Sequence, residues 1–221
     1  MRAFSPFSSR WRMMILYERP TSGHSYKVRL LLSILRVPYE STIITAEHGR
    51  NVVDRRYLAM NPRGQIPTLD DDGLVRWGST AILFYLAGRY DGERTWLPES
   101  IHSASEIMQW MEFAQNEVQG LFLSRAIQKF GYPGDLPSAQ LQGNRALDIL
   151  DARLNGRNWL CGDGQTIADI ACFPYVALSF DNGFDLRSRK AVTAWIRRMT
   201  QLDGFIALPG MEPLEAYLAG R

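Results

Sequence analysis

Cysteine and histidine are scarce in this chain, two and three residues among 221. Cys161 and Cys172 are too few for a disulfide framework and do not form Cys-x-x-Cys. His24, His48 and His102 stand far apart, with no His-x-x-x-His, so no metal site is expected. Unpaired cysteines of this kind suit a reducing, cytoplasmic setting and ordinary packing roles. No stretch of about 18 apolar residues occurs, which argues against a spanning helix and a membrane partner. Charge of one sign is also lacking: Lys plus Arg number 25 and Asp plus Glu 23, a net charge of +2. Those charges are interspersed rather than gathered in a basic stripe, which argues against a dedicated nucleic-acid binder. What is present is ordinary globular material, 46 % hydrophobic and 22 % charged, so disorder is excluded. The length accommodates one large domain or two small ones. Residues 1–12 are basic and contain serine but no unbroken apolar segment, and read as a disordered leader.

Periodicity changes near residue 90. The apolar run 14–17, stopped by Pro20 and Gly23, reads as a buried strand. Val28, Leu31, Leu32 and Leu35 then mark an amphipathic helix over about 25–35. Residues 39–44 form a second, β-branched strand, and 55–60 a short helix ended by Asn61-Pro62. Runs 66–69 and 74–77 flank an Asp-Gly turn and predict a hairpin. Ser79 opens the next helix as its expected N-cap. The order β-α-β-α-β-β-α needs one parallel and one antiparallel pairing, hence a mixed four-stranded sheet. Residues 91–102 read as a linker between a domain at 13–90 and an all-helical one at 103–221. Its stripes are Ile107, Met108 and Met111; Leu147, Leu150 and Leu154; and Val192, Trp195, Ile196 and Met199. Thr166-x-x-Asp169 is a capping box opening an apolar helix.

Chemistry has three local candidates. The first loop, Pro20 to Ser25, places Ser22 and His24 at a helix N-terminus, where N–H groups and the dipole favour an anion. Ser22 is open between plain capping and donation to a ligand. Ile66-Pro67 is open between an ordinary trans bond and a cis one that frees the Ile66 backbone to pair with an extended peptide. Ser79-Thr80 offers a second helix N-terminus suited to a carboxylate. Other candidates have plainer explanations: His24 as a solvated loop side chain, Asp70-Asp71-Asp72 as solvated turn acids, Trp110 and Phe113 as core.

Four ordered segments carry a resemblance over residues 13–219. They are Leu16-Tyr17 with Ser22-Gly23-His24-Ser25-Tyr26-Lys27-Val28; Asn61-Pro62-Arg63-Gly64-Gln65-Ile66-Pro67; Trp77-Gly78-Ser79-Thr80-Ala81-Ile82; and Leu160-Cys161-Gly162-Asp163 with Thr166-Ile167-Ala168-Asp169. Together they resemble the glutathione transferase superfamily, in its bacterial, Ser-type, theta-, zeta- and nu-like branches. The resemblance implies a thioredoxin-like α/β N-terminal domain, an all-α C-terminal domain, glutathione as co-substrate, and a cytoplasmic homodimer acting in detoxification. It also implies roles: Ser22 donating to the glutathione sulfur, His24 where relatives place Asn, and Gln65 toward the glycyl carboxylate. Ile66, before cis Pro67, would pair with the cysteinyl unit, and Ser79 with Thr80 would hold the γ-glutamyl carboxylate. Helix residues near Met111 and Phe113 would wall the pocket for a small hydrophobic electrophile. Gly78 departs from the family, which usually has Glu or Asp there to fix the glutathione amino group. A lost charge-assisted hydrogen bond costs about 1.5–3 kcal/mol, roughly ten- to a hundred-fold in affinity. The zeta-type Ser-Ser-Cys triplet is absent too, which argues against a maleylacetoacetate isomerase. The implied activities are thiolate attack on an electrophile and thiol-disulfide or peroxide reduction. A dehalogenase, an isomerase, or a non-catalytic binding or scaffolding module is the alternative.

Overall fold

The computed structural model describes residues 13–45, 52–211 and 213–220, so the expected leader lies outside the described residues. The first part consists of β1 (Ile15–Glu18), α1 (Gly23–Ile34), β2 (Glu40–Ile43), α2 (Arg55–Met60), β3 (Thr68–Asp71), β4 (Leu74–Trp77) and α3 (Ser79–Tyr90). The second contains α4 (Ile101–Asn116), α5 (Gln119–Phe130), α6 (Leu136–Leu154), α7 (Ile167–Ala177), α8 (Lys190–Thr200) and α9 (Leu214–Leu218). The sheet order is β2-β1-β3-β4, with β1 parallel to β2 and both other pairs antiparallel. The mixed sheet and the helical second part are thus as the periodicity implied.

Leu16 and Leu69, neighbours across the β1–β3 ladder, are fully buried, as are Val28, Leu31, Ile82 and Leu86 from the two helices that cover the sheet. This core runs without a break into the bundle through α7, every residue of which is buried. Such a helix, buried all round, belongs at the centre of its domain. Between α3 and α4, Trp96 and Leu97 are buried, and the Trp96 amide donates to the Asp91 carboxylate at 2.7 Å. Gly120 and Gly143 let α5 approach α6 closely: a Cβ on Gly120 would lie 2.4 Å from the Gly143 amide nitrogen. That contact fixes how α5 leans toward the sheet domain.

Three local expectations change. Gly78, at φ +86°, is the N-cap of α3, and Ser79 is its first helical residue. The chain turns sharply out of β4 through a left-handed residue, which glycine adopts without strain. Asp71 is no solvated turn acid, since the hydroxyls of Tyr85 and Tyr90 both donate to its Oδ2, at 2.6 and 2.5 Å. Met108 leaves its predicted stripe and is half exposed, whereas Ile107 and Met111 are buried.

Candidate functional site

The N-termini of α1 and α3 open onto one cleft of about 490 Å³, between the sheet domain and α5. Neither helix carries an acid in its first turn. Each therefore presents unneutralised N–H groups and the positive end of its dipole. Ser22, His24, Gln65, Ile66, Pro67 and Ser79 all line this cleft. Thr80 does not. The helical turn sends it to a groove between α3 and α4, with Phe84 and Met108.

Ser22 caps α1, its Oγ accepting the Ser25 amide at 3.2 Å. Capping and donation are compatible, because a hydroxyl has two acceptor lone pairs and one proton. Engaging a lone pair orients the oxygen and leaves its O–H available to a group in the cleft. Next in the chain, Gly23 is buried beneath a ring: a Cβ there would lie 2.6 Å from Tyr175 of α7. Glycine at this position lets the bundle press against the start of α1. The Tyr175 oxygen accepts the His24 backbone N–H, and burial pushes the phenol pKa well up, so it stays protonated.

His24 is not a solvated loop side chain. It is half-buried, with ring centroids 5.4 Å from Tyr175 and 6.0 Å from Phe122. Desolvation, then the charges of Lys27 and Arg63, hold its pKa well below the usual histidine value. The neutral imidazole pairs through Nδ1 with the Ser79 hydroxyl at 3.2 Å. That bond ties the two helix N-termini together. Gln115 of α4 approaches the same hydroxyl, with Nε2 at 3.5 Å.

On the sheet side, Ile66-Pro67 is a cis peptide. Within the described residues, neither the N–H nor the C=O of Ile66 has a hydrogen-bond partner. The loop before it is pinned through the Gln65 carbonyl, which accepts from the Tyr57 hydroxyl at 2.7 Å and the Asn61 amide at 2.6 Å. Both props are completed by Thr68, whose Oγ1 is 2.8 Å from Tyr57 and 3.0 Å from Asn61. The Gln65 side chain is left at the cleft.

The bundle side differs from expectation. Neither Met111 nor Phe113 lines the cleft; Met111 is buried, and Phe113 packs against the core and Trp110. Helix α4 ends at Asn116, and the wall passes to α5 through Gln119, Phe122, Arg125 and Phe130. Cys161 and Cys172 are buried free thiols, as expected of packing residues. Burial raises both thiol pKa values, that of Cys161 to about 12, so neither offers a thiolate. Among the described residues no group of side chains forms a metal site, and no helix is long and apolar enough to cross a membrane.

Comparison with known proteins agrees with this architecture. The family profile described as glutathione S-transferase, N-terminal domain, matches residues 16–94, and the C-terminal domain profile matches 125–203. Glutathione S-transferase GstB of Escherichia coli is 31 % identical over 197 residues, spanning 86 % of this chain and 94 % of that one. The crystal structure of a glutathione S-transferase from Pseudomonas fluorescens aligns with a TM-score of 0.81 at 30 % identity, over 89 % of this chain and 98 % of that one. One from Xanthobacter autotrophicus aligns at 0.80 and 29 %, over 93 % and 100 %.

Proposed function

The chain belongs to the glutathione S-transferase superfamily, and we propose that it holds glutathione along the Ile66 edge and activates its thiol with Ser22. The observation that carries this reading is the convergence of two acid-free helix N-termini on one cleft beside the Ser22 hydroxyl, which caps the first of them. In this reading residues 13–90 are the glutathione side and the helices from Ile101 onward the co-substrate side, so the expected linker 91–102 ends where α4 begins. In the proposed pose the Ile66 backbone pairs with the cysteinyl unit and Gln65 meets the glycyl carboxylate. The α3 N-terminus, with Ser79 and neutral His24, holds the γ-glutamyl carboxylate. Gly78 supplies no acid for the ammonium group. Gln115, already beside Ser79, brings a neutral amide oxygen that substitutes weakly.

The chemistry follows from thiol acidity. Only the thiolate attacks, and a free thiol has a pKa of about 8.5. A hydroxyl donor and a helix dipole both favour the charged form, each unit of lowering being worth about 1.4 kcal/mol. The thiol proton leaves to solvent, the sulfur forms a bond to the electrophilic carbon, and the leaving group departs with its electron pair. Ser22→Ala is expected to raise the pKa of bound glutathione by about one unit. Thiolate absorbance against pH reads this directly, and an unchanged titration removes Ser22 from the mechanism.

Calorimetric titration with glutathione tests the reading as a whole. Saturable binding at millimolar ligand or below supports it. Absence of binding favours a non-catalytic module, the reading to which Gly78 points. Phe84, Ile101 and Met108 are 47, 76 and 50 % exposed around the α3–α4 groove. A clustered apolar face of this kind asks for a cover, and we assign it to a second copy of the chain, in a cytoplasmic homodimer. Phe84→Lys is expected to yield monomers in analytical ultracentrifugation; a dimer that survives the change refutes that face.

A further inference from the structure

From the charges lining the cleft we infer that its bundle side is a subsite for a planar, carboxylate-bearing co-substrate, with Arg125 as the specificity-determining residue. This inference rests on the glutathione reading above and extends it to the second substrate.

The chain as a whole is nearly neutral, yet among the described residues the cleft is lined by Arg19, Arg63 and Arg125 and by no Asp or Glu. Two of these arginines already have local work. Arg19 Nε donates to the Ile44 carbonyl at 3.1 Å, and the Arg63 guanidinium lies 5.9 Å from the Trp77 ring on the sheet side. Arg125, like Arg63, lies against a ring, that of Phe130. It comes from α5, on the wall facing the sheet domain, and makes no ion pair with a described residue. Its Nε is buried without a hydrogen-bond acceptor among the described residues.

Protein encloses Nε, but the residue as a whole is half-buried and lines the cleft, so a ligand there meets the rest of the side chain. The planar fork of an arginine fits the two oxygens of a carboxylate. The immediate surroundings are aromatic. The Arg125 guanidinium carbon lies 5.0 Å from the Phe130 ring centroid, and Phe122 packs on Tyr175 with centroids 5.3 Å apart. Tyr175 in turn covers Gly23, next to Ser22, and feels the Arg125 charge. Ser22, Tyr175 and Arg125 thus line the same cleft. In the inferred pose a flat acid lies along these aromatic rings, its reactive carbon toward Ser22 and its carboxylate on Arg125. The carboxylates of glutathione are assigned to Gln65 and the α3 N-terminus, which leaves this cation for the second substrate.

The test is equilibrium binding of an unreactive pair, 3-nitrobenzoate and 3-nitrobenzamide, to the full chain in excess S-methylglutathione. The wild type is expected to bind the benzoate at least tenfold tighter than the amide. Arg125→Gln should abolish that preference, and Arg125→Lys, which keeps the charge but not the fork, should keep part of it. Equal affinities in the wild type, or a preference that survives in Arg125→Gln, overturn the inference. Failure of the glutathione reading shows separately, as absent heat with S-methylglutathione, while the benzoate preference still reports on Arg125.

Discussion

Asp169→Ala is expected to remove about 4 kcal/mol of folding stability, a large share of the 5–15 kcal/mol typical of a domain. The side chain is fully buried at the start of α7. Its two oxygens divide the work: Oδ1 accepts the Leu160 amide at 3.1 Å and the Trp195 indole N–H at 2.9 Å. Oδ2 accepts the Thr166 amide at 2.9 Å and its hydroxyl at 3.3 Å. Burial nevertheless lifts the carboxyl pKa to about 6, so the group is ionised at neutral pH despite desolvation. Removing it leaves up to four donors without an acceptor, each costing about 1–3 kcal/mol when buried, less whatever relaxation recovers. It also uncouples α7 from α8, which carries Trp195. Asp169→Asn separates these contributions. Its remaining oxygen can serve Leu160 and Trp195, and its NH₂ can donate to the Thr166 hydroxyl, leaving the Thr166 amide unpaired. A loss of about half that of the alanine variant in urea denaturation is expected; equal losses would show that charge, not acceptor count, holds the junction.

The Thr166-x-x-Asp169 box was legible because both halves lie within one turn, whereas Trp195 lies 26 residues away. The site divides along the same line. Ser22, Gln65, Ile66 and Ser79 sit at strand and helix ends and all line the cleft; local residue types single out Ser22, Ile66 and Ser79, and the family resemblance adds Gln65. Arg125 and Tyr175 reach the cleft only through the packing angles of α5 and α7. The small pair Gly120 and Gly143 sets one of those angles by close approach, and that pair has no local signature. Misplacing the wall at Met111 and Phe113 has the same origin. The break after Asn116 that transfers the wall to α5 contains neither Gly nor Pro, only Glu117 and Val118.

Lys27→Met is expected to make the folded chain more stable at pH 7, by about 3 kcal/mol. Lys27 lies in α1 against α7, is fully buried, and its Nζ has no hydrogen-bond partner among the described residues. The ammonium has the Tyr175 ring 5.6 Å away, and Cys172 is the other α7 side chain that it feels. Desolvation pulls its pKa down from 10.5 to about 8. A depressed lysine pKa means that the unfolded chain binds the proton more tightly. The wild type therefore gains stability as pH rises from about 8 to 10.5, and below 8 it bears the whole cost. At about 1.4 kcal/mol per unit, the fall from 10.5 to about 8 gives a cost between about 3 and 4 kcal/mol, the lower end of which is the stated figure. Methionine keeps the length without the charge, so its advantage in thermal or urea unfolding should fade toward pH 10.5. A variant no more stable than the wild type at pH 7 would show that the ammonium is solvated. The same charge reaches the cleft, because it helps depress the pKa of His24. A cation that lowers the proton affinity of an imidazole also favours a thiolate beside Ser22. Lys27→Met should therefore raise the pKa of bound glutathione even as it strengthens the fold. Stability and activity moving in opposite directions would mark this buried ammonium as an electrostatic part of the anion site rather than an element of packing.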